Sequence, residues 1–97
     1  MSPATVTVSE SGVNSVRVSW GPLQPEAVQS YTVEYSALPG GKLHIVTTGR
    51  WQNSTVLTNL QPDTQYLVTV SARYSSGRER AMSVKMCTQE GEEPAGK

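Results

Sequence analysis

Apolar side chains recur at every second position in several segments of this chain. The four longest segments are 16–20, 31–35, 66–74 and 82–86. Three shorter ones complete the set: 6–8, 43–47 and 55–57. A period of two is typical of antiparallel strands with one face on a core and the other in water. The pattern therefore predicts about seven strands, and no window of ten or more residues has helical periodicity.

Turn-forming residues separate the predicted strands. Gly and Pro dominate the connections, because glycine adopts positive φ at little cost and proline fixes its own φ. The connections are Glu10-Ser11-Gly12, Gly21-Pro22-Leu23-Gln24-Pro25, Pro39-Gly40-Gly41 and Ser75-Ser76-Gly77-Arg78. Seven short strands joined by such turns favour a sandwich of two sheets.

The segment 60–66 carries the most specific motif. Leu60 and Pro62 lie on the turn into the longest strand, and Tyr66 opens that strand. A buried phenol needs a partner for its hydroxyl group. The spacing therefore predicts a tyrosine corner, in which the hydroxyl bonds a backbone group a few residues upstream.

With Trp20 ending the second strand and Tyr31-x-Val33-x-Tyr35 in the third, residues 3–89 resemble a fibronectin type III domain. The resemblance implies an all-β, immunoglobulin-like sandwich of seven antiparallel strands. Strands A, B and E would form one sheet, near 4–9, 14–20 and 54–58. Strands C, C′, F and G would form the other, near 29–37, 42–48, 64–74 and 81–88. The expected structural core is Trp20, Tyr31, Val33, Tyr35, Leu60, Pro62, Tyr66, Val68 and Val70.

The domain is expected to cover residues 1–89, since 97 residues provide for one domain only. Residues 90–97 are acidic, contain Gly and Pro, and predict a linker to a following module. The first residues have neither the basic nor the apolar stretch of a signal peptide, so we expect a module taken from a longer chain.

Charge and cysteine content narrow the classes of partner. Eight Lys+Arg balance eight Asp+Glu, which argues against nucleic acid and anionic lipid as ligands. The apolar runs are too short to cross a bilayer, so we expect no membrane insertion. A single cysteine excludes an internal disulfide.

The sequence offers little for catalysis. His44 is the only histidine and Asp63 the only aspartate, whereas a hydrolytic triad or a metal site needs several converging groups. We expect no enzyme, no catalytic or metal-binding residue and no cofactor. His44 is expected to be solvated, on the face opposite Leu43 and Ile45.

Two exposed features are candidates for protein contact. The predicted F–G loop carries Arg78, Glu79 and Arg80, which either contact another protein or form a solvated charged turn. The loop lacks Arg-Gly-Asp, so recognition by integrins through that motif is not expected. Trp51 falls outside the alternating pattern. It is either an exposed contact residue or a cover for the open edge of the core, and its position favours the second interpretation.

Three further expectations concern single residues or pairs. Asn53-Ser54-Thr55 is the only N-glycosylation sequon. Cys87 should point away from the core, either half-buried and inert or paired between chains. Glu34 and Arg73, on neighbouring strands, are expected to form an exposed ion pair.

The segment 66–72, followed by Ser76-Gly77-Arg78-Glu79, is similar to modules of matrix proteins that combine fibronectin type III with von Willebrand A domains, notably fibril-associated and other non-fibrillar collagens, and to tenascin modules. We therefore expect a non-catalytic structural and adhesion module of a secreted extracellular matrix protein. Its partners would be other matrix proteins or adjacent modules, and the isolated domain would be monomeric. The alternatives are a receptor ectodomain module, although Trp-Ser-x-Trp-Ser is absent, and an intracellular muscle-type array.

Overall fold

The computed structural model describes residues 5–91, which contain seven strands and no helix. The strands are β1 (Thr5–Ser9), β2 (Val16–Gly21), β3 (Val28–Ala37), β4 (His44–Gly49), β5 (Ser54–Leu57), β6 (Gln65–Tyr74) and β7 (Glu79–Cys87). They form two antiparallel sheets, in the orders β1-β2-β5 and β4-β3-β6-β7. The predicted β-sandwich and the predicted division of strands between its sheets are confirmed. The predicted linker is described only as far as Gly91, and the rest of it lies outside the described residues.

Alternating side chains of both sheets meet in one core. In β2, residues Val16, Val18 and Trp20 are buried, and the residues between them are only half-buried. The core also contains Val28, Tyr31, Val33, Leu57, Leu60, Tyr66, Val68, Val70, Ala72, Tyr74 and Met86. Fully burying an aliphatic or aromatic side chain of this size contributes roughly 1.5–3 kcal/mol. This burial fixes which face of β2, β3 and β6 points inward, because a shift by one residue would expose the whole set.

The hydroxyl of Tyr66 joins its buried ring to the preceding turn through a hydrogen bond. The backbone N–H of Gln61 donates to Tyr66 Oη over 2.8 Å. The tyrosine corner that the motif predicts is therefore present. Since β5 and β6 lie in different sheets, this bond fixes the connection that crosses between them.

Thr88 holds the same turn from the opposite side. Its side chain is buried, and Thr88 Oγ1 donates to the Gln61 carbonyl over 2.6 Å. The backbone N–H of Thr64 donates to the same hydroxyl over 3.0 Å. Both polar groups of the Gln61 backbone thus bond to buried side chains, and the end of β7 is attached to the turn.

Two residues of the expected core differ from the expectation. Pro62 is exposed and Tyr35 only half-buried, although Tyr35 packs against the core cluster. Pro62 lies at the outside of the turn, where its carbonyl accepts a hydrogen bond from Thr64 Oγ1 over 2.7 Å. Its place in the motif is therefore explained by its backbone in the turn, not by burial of its ring.

The face that β4 turns to the core is also opposite to the expectation, although His44 itself is exposed, as expected. Tyr35 pairs with His44 and Val33 with Val46, so the even-numbered residues of β4 share the core-facing side with Tyr35 and Val33. Leu43 and Ile45 consequently lie toward solvent, 53% and 57% exposed. A short strand with apolar residues in both phases does not reveal its inner face from sequence alone.

The expected ion pair between Glu34 and Arg73 is absent. Glu34 lies opposite Thr69 and Arg73 opposite Ser30, so the two residues are four strand positions, roughly 13 Å, out of register. Arg73 instead lies 3.7 Å from Glu79 of β7. Both side chains are largely exposed, and such pairs contribute about 0–1 kcal/mol.

Removing the Tyr66 hydroxyl tests the corner. We expect Tyr66→Phe to lower the free energy of unfolding by about 1–3 kcal/mol, because the Gln61 N–H loses its partner while the ring stays in place. Urea unfolding followed by tryptophan fluorescence measures the change.

Tyr35→Phe is the matched control, since no hydrogen bond of the described residues uses the Tyr35 hydroxyl. Equal losses of stability in the two variants would contradict the assigned bond.

Candidate protein-contact surface

Three connections come together at one end of the sandwich, and we call this surface the loop end. They are residues 22–27, 50–53 and 75–78, which join β2 to β3, β4 to β5 and β6 to β7. Strand register brings them together, because Ser30 pairs with Gly49 and Val28 with Tyr74.

Hydrogen bonds tie these connections to one another. The Arg50 guanidinium donates from Nη1 to the Pro25 carbonyl over 3.1 Å. The Ser75 N–H donates to the Ala27 carbonyl over 2.8 Å. The loop end is therefore one continuous surface and not three independent loops.

Trp51 projects from the loop end with 74% of its surface exposed. The backbone beyond it is attached to the core through Trp20, whose Nε1 donates to the Gln52 carbonyl over 3.1 Å and whose N–H donates to the Asn53 carbonyl over 2.9 Å. The favoured interpretation, that Trp51 covers the edge of the core, is wrong because Trp20 already occupies the inner side of this loop. What results is a large aromatic side chain in water on a fixed backbone, a common form of binding anchor.

Trp20 and Tyr31 support the loop end from below. Their ring centroids are 5.4 Å apart and the planes are tilted by 46°, a favourable arrangement for aromatic pairs. Burial raises the pKa of the Tyr31 phenol above its ordinary value, a backbone hydrogen bond from Gln24 opposes this, and the nearby Tyr74 adds to the increase. Tyr31 therefore stays neutral under physiological conditions.

The expected charged loop is shorter than the sequence suggests. Only Arg78 lies in the connection, because β7 begins at Glu79. Glu79 is opposite Arg73 and Arg80 opposite Ala72, so both belong to the strand ladder. The turn closes with Gly77 at a φ of 92°, a conformation that glycine adopts without strain.

The exposed charges of the loop end have both signs. Arg50 and Arg78 lie on different connections, and Glu26 lies on the third. A shallow depression of about 250 Å³ beside Arg78 is lined by Ala27, Tyr74, Ser75 and Ser76. An exposed tryptophan surrounded by mixed charges is a composition that suits contact with another protein.

Asn53 is exposed in the connection just before β5. Among residues 5–91, no hydrogen bond engages its side-chain amide, while its carbonyl holds Trp20 in place. Ser54 and Thr55, the rest of the sequon, open the strand and are half-buried. The acceptor amide is thus accessible from solvent at the rim of the loop end.

His44 and Asp63 lie apart from the loop end. The His44 ring stacks on Tyr35, with centroids 5.1 Å apart and an angle of 21°. It lines a cleft of about 170 Å³ whose other lining residues include no carboxylate and no thiol. Asp63, at a positive φ of 48°, donates its backbone N–H to the Gln89 carbonyl, as expected of a turn residue.

Cys87 is exposed at the end of β7. It lies out of phase with Met86, which is buried, as the alternation predicts. The alternative of a half-buried thiol is wrong, because the Cys87 side chain is exposed. Within residues 5–91, no three metal-ligating side chains come together, and no helix could cross a membrane.

Comparison with known proteins supplies a family and relatives. The model of the family described as "Fibronectin type III domain" matches residues 1–92. Over 87 residues the chain is 61% identical to von Willebrand factor A domain-containing protein 1 of Danio rerio, covering 90% of this chain and 17% of that protein. It is 41% identical over 68 residues to the collagen alpha-1(XII) chain of Oryctolagus cuniculus, covering 70% of this chain and 10% of that one.

A solved structure agrees with these matches. The fn3 domain of the human collagen alpha-1(XX) chain superposes with a TM-score of 0.84 at 29% identity, covering all of this chain and 92% of that one. The expected likeness to collagen modules is found. The relative named first, at 61% identity, is not named as a collagen, but its name contains the von Willebrand factor A domain that the expectation included. This chain spans less than a quarter of either curated relative.

Proposed function

The chain belongs to the fibronectin type III family, and from that premise we propose that it is a non-catalytic structural and protein-interaction module of a secreted, multidomain extracellular matrix protein. Fibronectin type III domains are generally non-catalytic structural modules. Modules of this family occur in extracellular matrix proteins such as collagen XII. That relationship supports the matrix alternative over a receptor ectodomain.

The path of the chain suits a spacer between neighbouring modules. β1 enters at the loop end, where Thr5 pairs with Gly21. β7 leaves at the opposite end, where Cys87 pairs with Gln65. A module with this geometry extends an array along one direction, and the two sheets between its ends keep the spacing constant.

The exposed Trp51 is the observation that carries the interaction part of the proposal. A tryptophan in water is commonly an anchor for a partner when its backbone does not have to be ordered on binding. Here the bonds from Trp20 to Gln52 and Asn53 have already fixed that backbone. The partner would be another matrix protein or an adjacent module that offers an apolar pocket and carboxylates for Arg50 and Arg78.

Replacing the anchor tests this proposal. We expect the domain to bind at least one member of a panel of purified collagens, laminin and proteoglycans in surface plasmon resonance. Trp51→Ala should weaken that binding about ten-fold or more, since anchors of this kind contribute about 2 kcal/mol or more.

Val56→Ala is the matched control, because Val56 is another exposed apolar side chain, on β5 away from the loop end. The proposal is contradicted if no member of the panel binds, or if Trp51→Ala binds as well as the unaltered domain.

We also propose that Asn53 carries an N-linked glycan in the secreted protein. Its exposed amide and the hydroxyl of Thr55 two positions later support this assignment. Expression in mammalian cells should give a domain whose mass falls on treatment with peptide N-glycosidase, and Asn53→Gln should have the lower mass from the start. An unmodified Asn53 in the secreted domain, seen by peptide mass spectrometry, would contradict the assignment.

A further inference from the structure

The outer edge of β4 is a free strand edge with a defined set of backbone groups. β4 and β7 are the two outermost strands of the four-stranded sheet. Leu38 donates its N–H to the Gln65 carbonyl, which continues the β3–β6 ladder by one residue. Because hydrogen-bonded pairs alternate in antiparallel sheets, the even-numbered residues of β3 from Ser30 onward bond β6 and the odd-numbered ones bond β4.

This alternation assigns the groups on β4. Tyr31, Val33 and Tyr35 lie opposite Thr48, Val46 and His44, so these three residues of β4 bond inward to β3. Ile45 and Thr47 therefore direct both their N–H and C=O groups away from the sheet. Within residues 5–91, no hydrogen bond reaches these outward groups from another part of the chain.

The side chains at this edge do not protect it. From Leu43 to Gly49 there is no charged residue and no proline, the features by which natural edge strands avoid pairing. Leu43 and Ile45 are more than half exposed beside the outward backbone groups. By contrast, the other edge strand, β7, carries Glu79, Arg80 and Lys85.

We propose that β4 pairs in antiparallel fashion with β4 of a second copy of this chain, about a two-fold axis at Ile45. Two four-stranded sheets would then continue into one sheet of eight strands. Each strand offers the groups that the other needs, because a two-fold interface uses the same surface on both molecules. Leu43, Ile45 and Thr47 of one copy would bond Thr47, Ile45 and Leu43 of the other.

The register at Ile45 is favoured by side chains and by charge. It places Ile45 against Ile45 of the second copy with Leu43 diagonal to it, so the exposed apolar surface of both edges is shared. It also places Lys42 opposite Thr48 and Arg50 opposite Gly40 of the second copy, so no two like charges lie directly opposite each other. A two-fold axis at His44 would instead bring two imidazoles together.

Charge also favours a second copy over a charged peptide as the occupant. Between Lys42 and Arg50, from Leu43 to Gly49, the edge has no charge with which an acidic or basic strand could pair, and the chain as a whole has a net charge of zero. Two copies therefore approach without net repulsion. When this uncharged edge pairs with the same edge of a second copy, it leaves no charge on β4 without a partner and creates no net repulsion between the molecules.

The contact is small and therefore weak. One pair of strands buries less than the roughly 1,200 Å² of a stable interface, so we expect a dissociation constant on the order of 10⁻⁴ M. The domain is then monomeric at micromolar concentration. Pairing becomes substantial where neighbouring molecules raise the local concentration toward the millimolar range.

Sedimentation equilibrium and amide hydrogen exchange over a concentration series test the proposal. A reducing agent is present throughout, so that disulfides through Cys87 do not contribute. The average mass should rise from 10.5 kDa toward twice that value. In parallel, the amides of Ile45 and Thr47 should become protected with concentration, while that of Val46 is already protected at the lowest concentration.

Ile45→Lys should weaken self-association about ten-fold or more, because it places two like charges opposite each other. Val56→Lys makes the same change at an exposed valine of the other sheet and should leave association unchanged. A mass that stays at the monomer value up to millimolar concentration overturns the proposal. It is also overturned if the concentration-dependent protection appears elsewhere, or if the two lysine variants behave alike.

Discussion

The backbone of Gln61 is the point on which the relation between the two sheets depends. Its N–H donates to the hydroxyl of Tyr66 and its carbonyl accepts from the hydroxyl of Thr88. Tyr66 is the second residue of β6, Thr88 follows β7, and the turn itself comes from β5 of the other sheet. Three parts of the chain are thus joined at one peptide segment, and losing either partner would leave a part-buried backbone group of Gln61 without its hydrogen bond, at a cost in stability.

Trp20 has the corresponding role at the loop end. It belongs to the three-stranded sheet, packs on Tyr31 of the other sheet, and holds the backbone of Gln52 and Asn53. The corner at Gln61 and the packing of Trp20 therefore fix the two ends of the same sandwich. Because both ends are fixed, the surface around Trp51 and the edge of β4 are presented in a constant geometry, which is what a module that works by contact requires.

The fold could be predicted because its determinants are local. Alternation in β2, β3 and β6 gives the buried face directly, and the spacing from Leu60 to Tyr66 identifies the corner. Thr88 could not be found in this way, since a threonine after a strand is common and its partners are 24 and 27 residues distant. The one sequence signal for Thr88 is that it lies two positions after Met86 and so continues the alternation of inward-facing residues along β7.

The candidate site was less predictable, because it depends on register and on which side of an edge is covered. The phase of β4 is set by its pairing with β3, and the strand's own residues are apolar in both phases. In the same way, Glu34 and Arg73 lie on neighbouring strands, but register separates them. Trp51 could be placed in a loop from sequence, whereas its exposure depends on Trp20 occupying the space behind it.

A double-mutant cycle on Tyr66→Phe and Thr88→Val tests most directly whether one peptide segment joins the sheets. The free energies of unfolding of the two single variants and the double variant are measured in urea. If Tyr66 and Thr88 hold the same backbone, the losses should be coupled, and the double variant should differ from their sum by about 0.5 kcal/mol or more. Losses that add to within about 0.3 kcal/mol would show two independent contacts and would contradict the role assigned to Gln61.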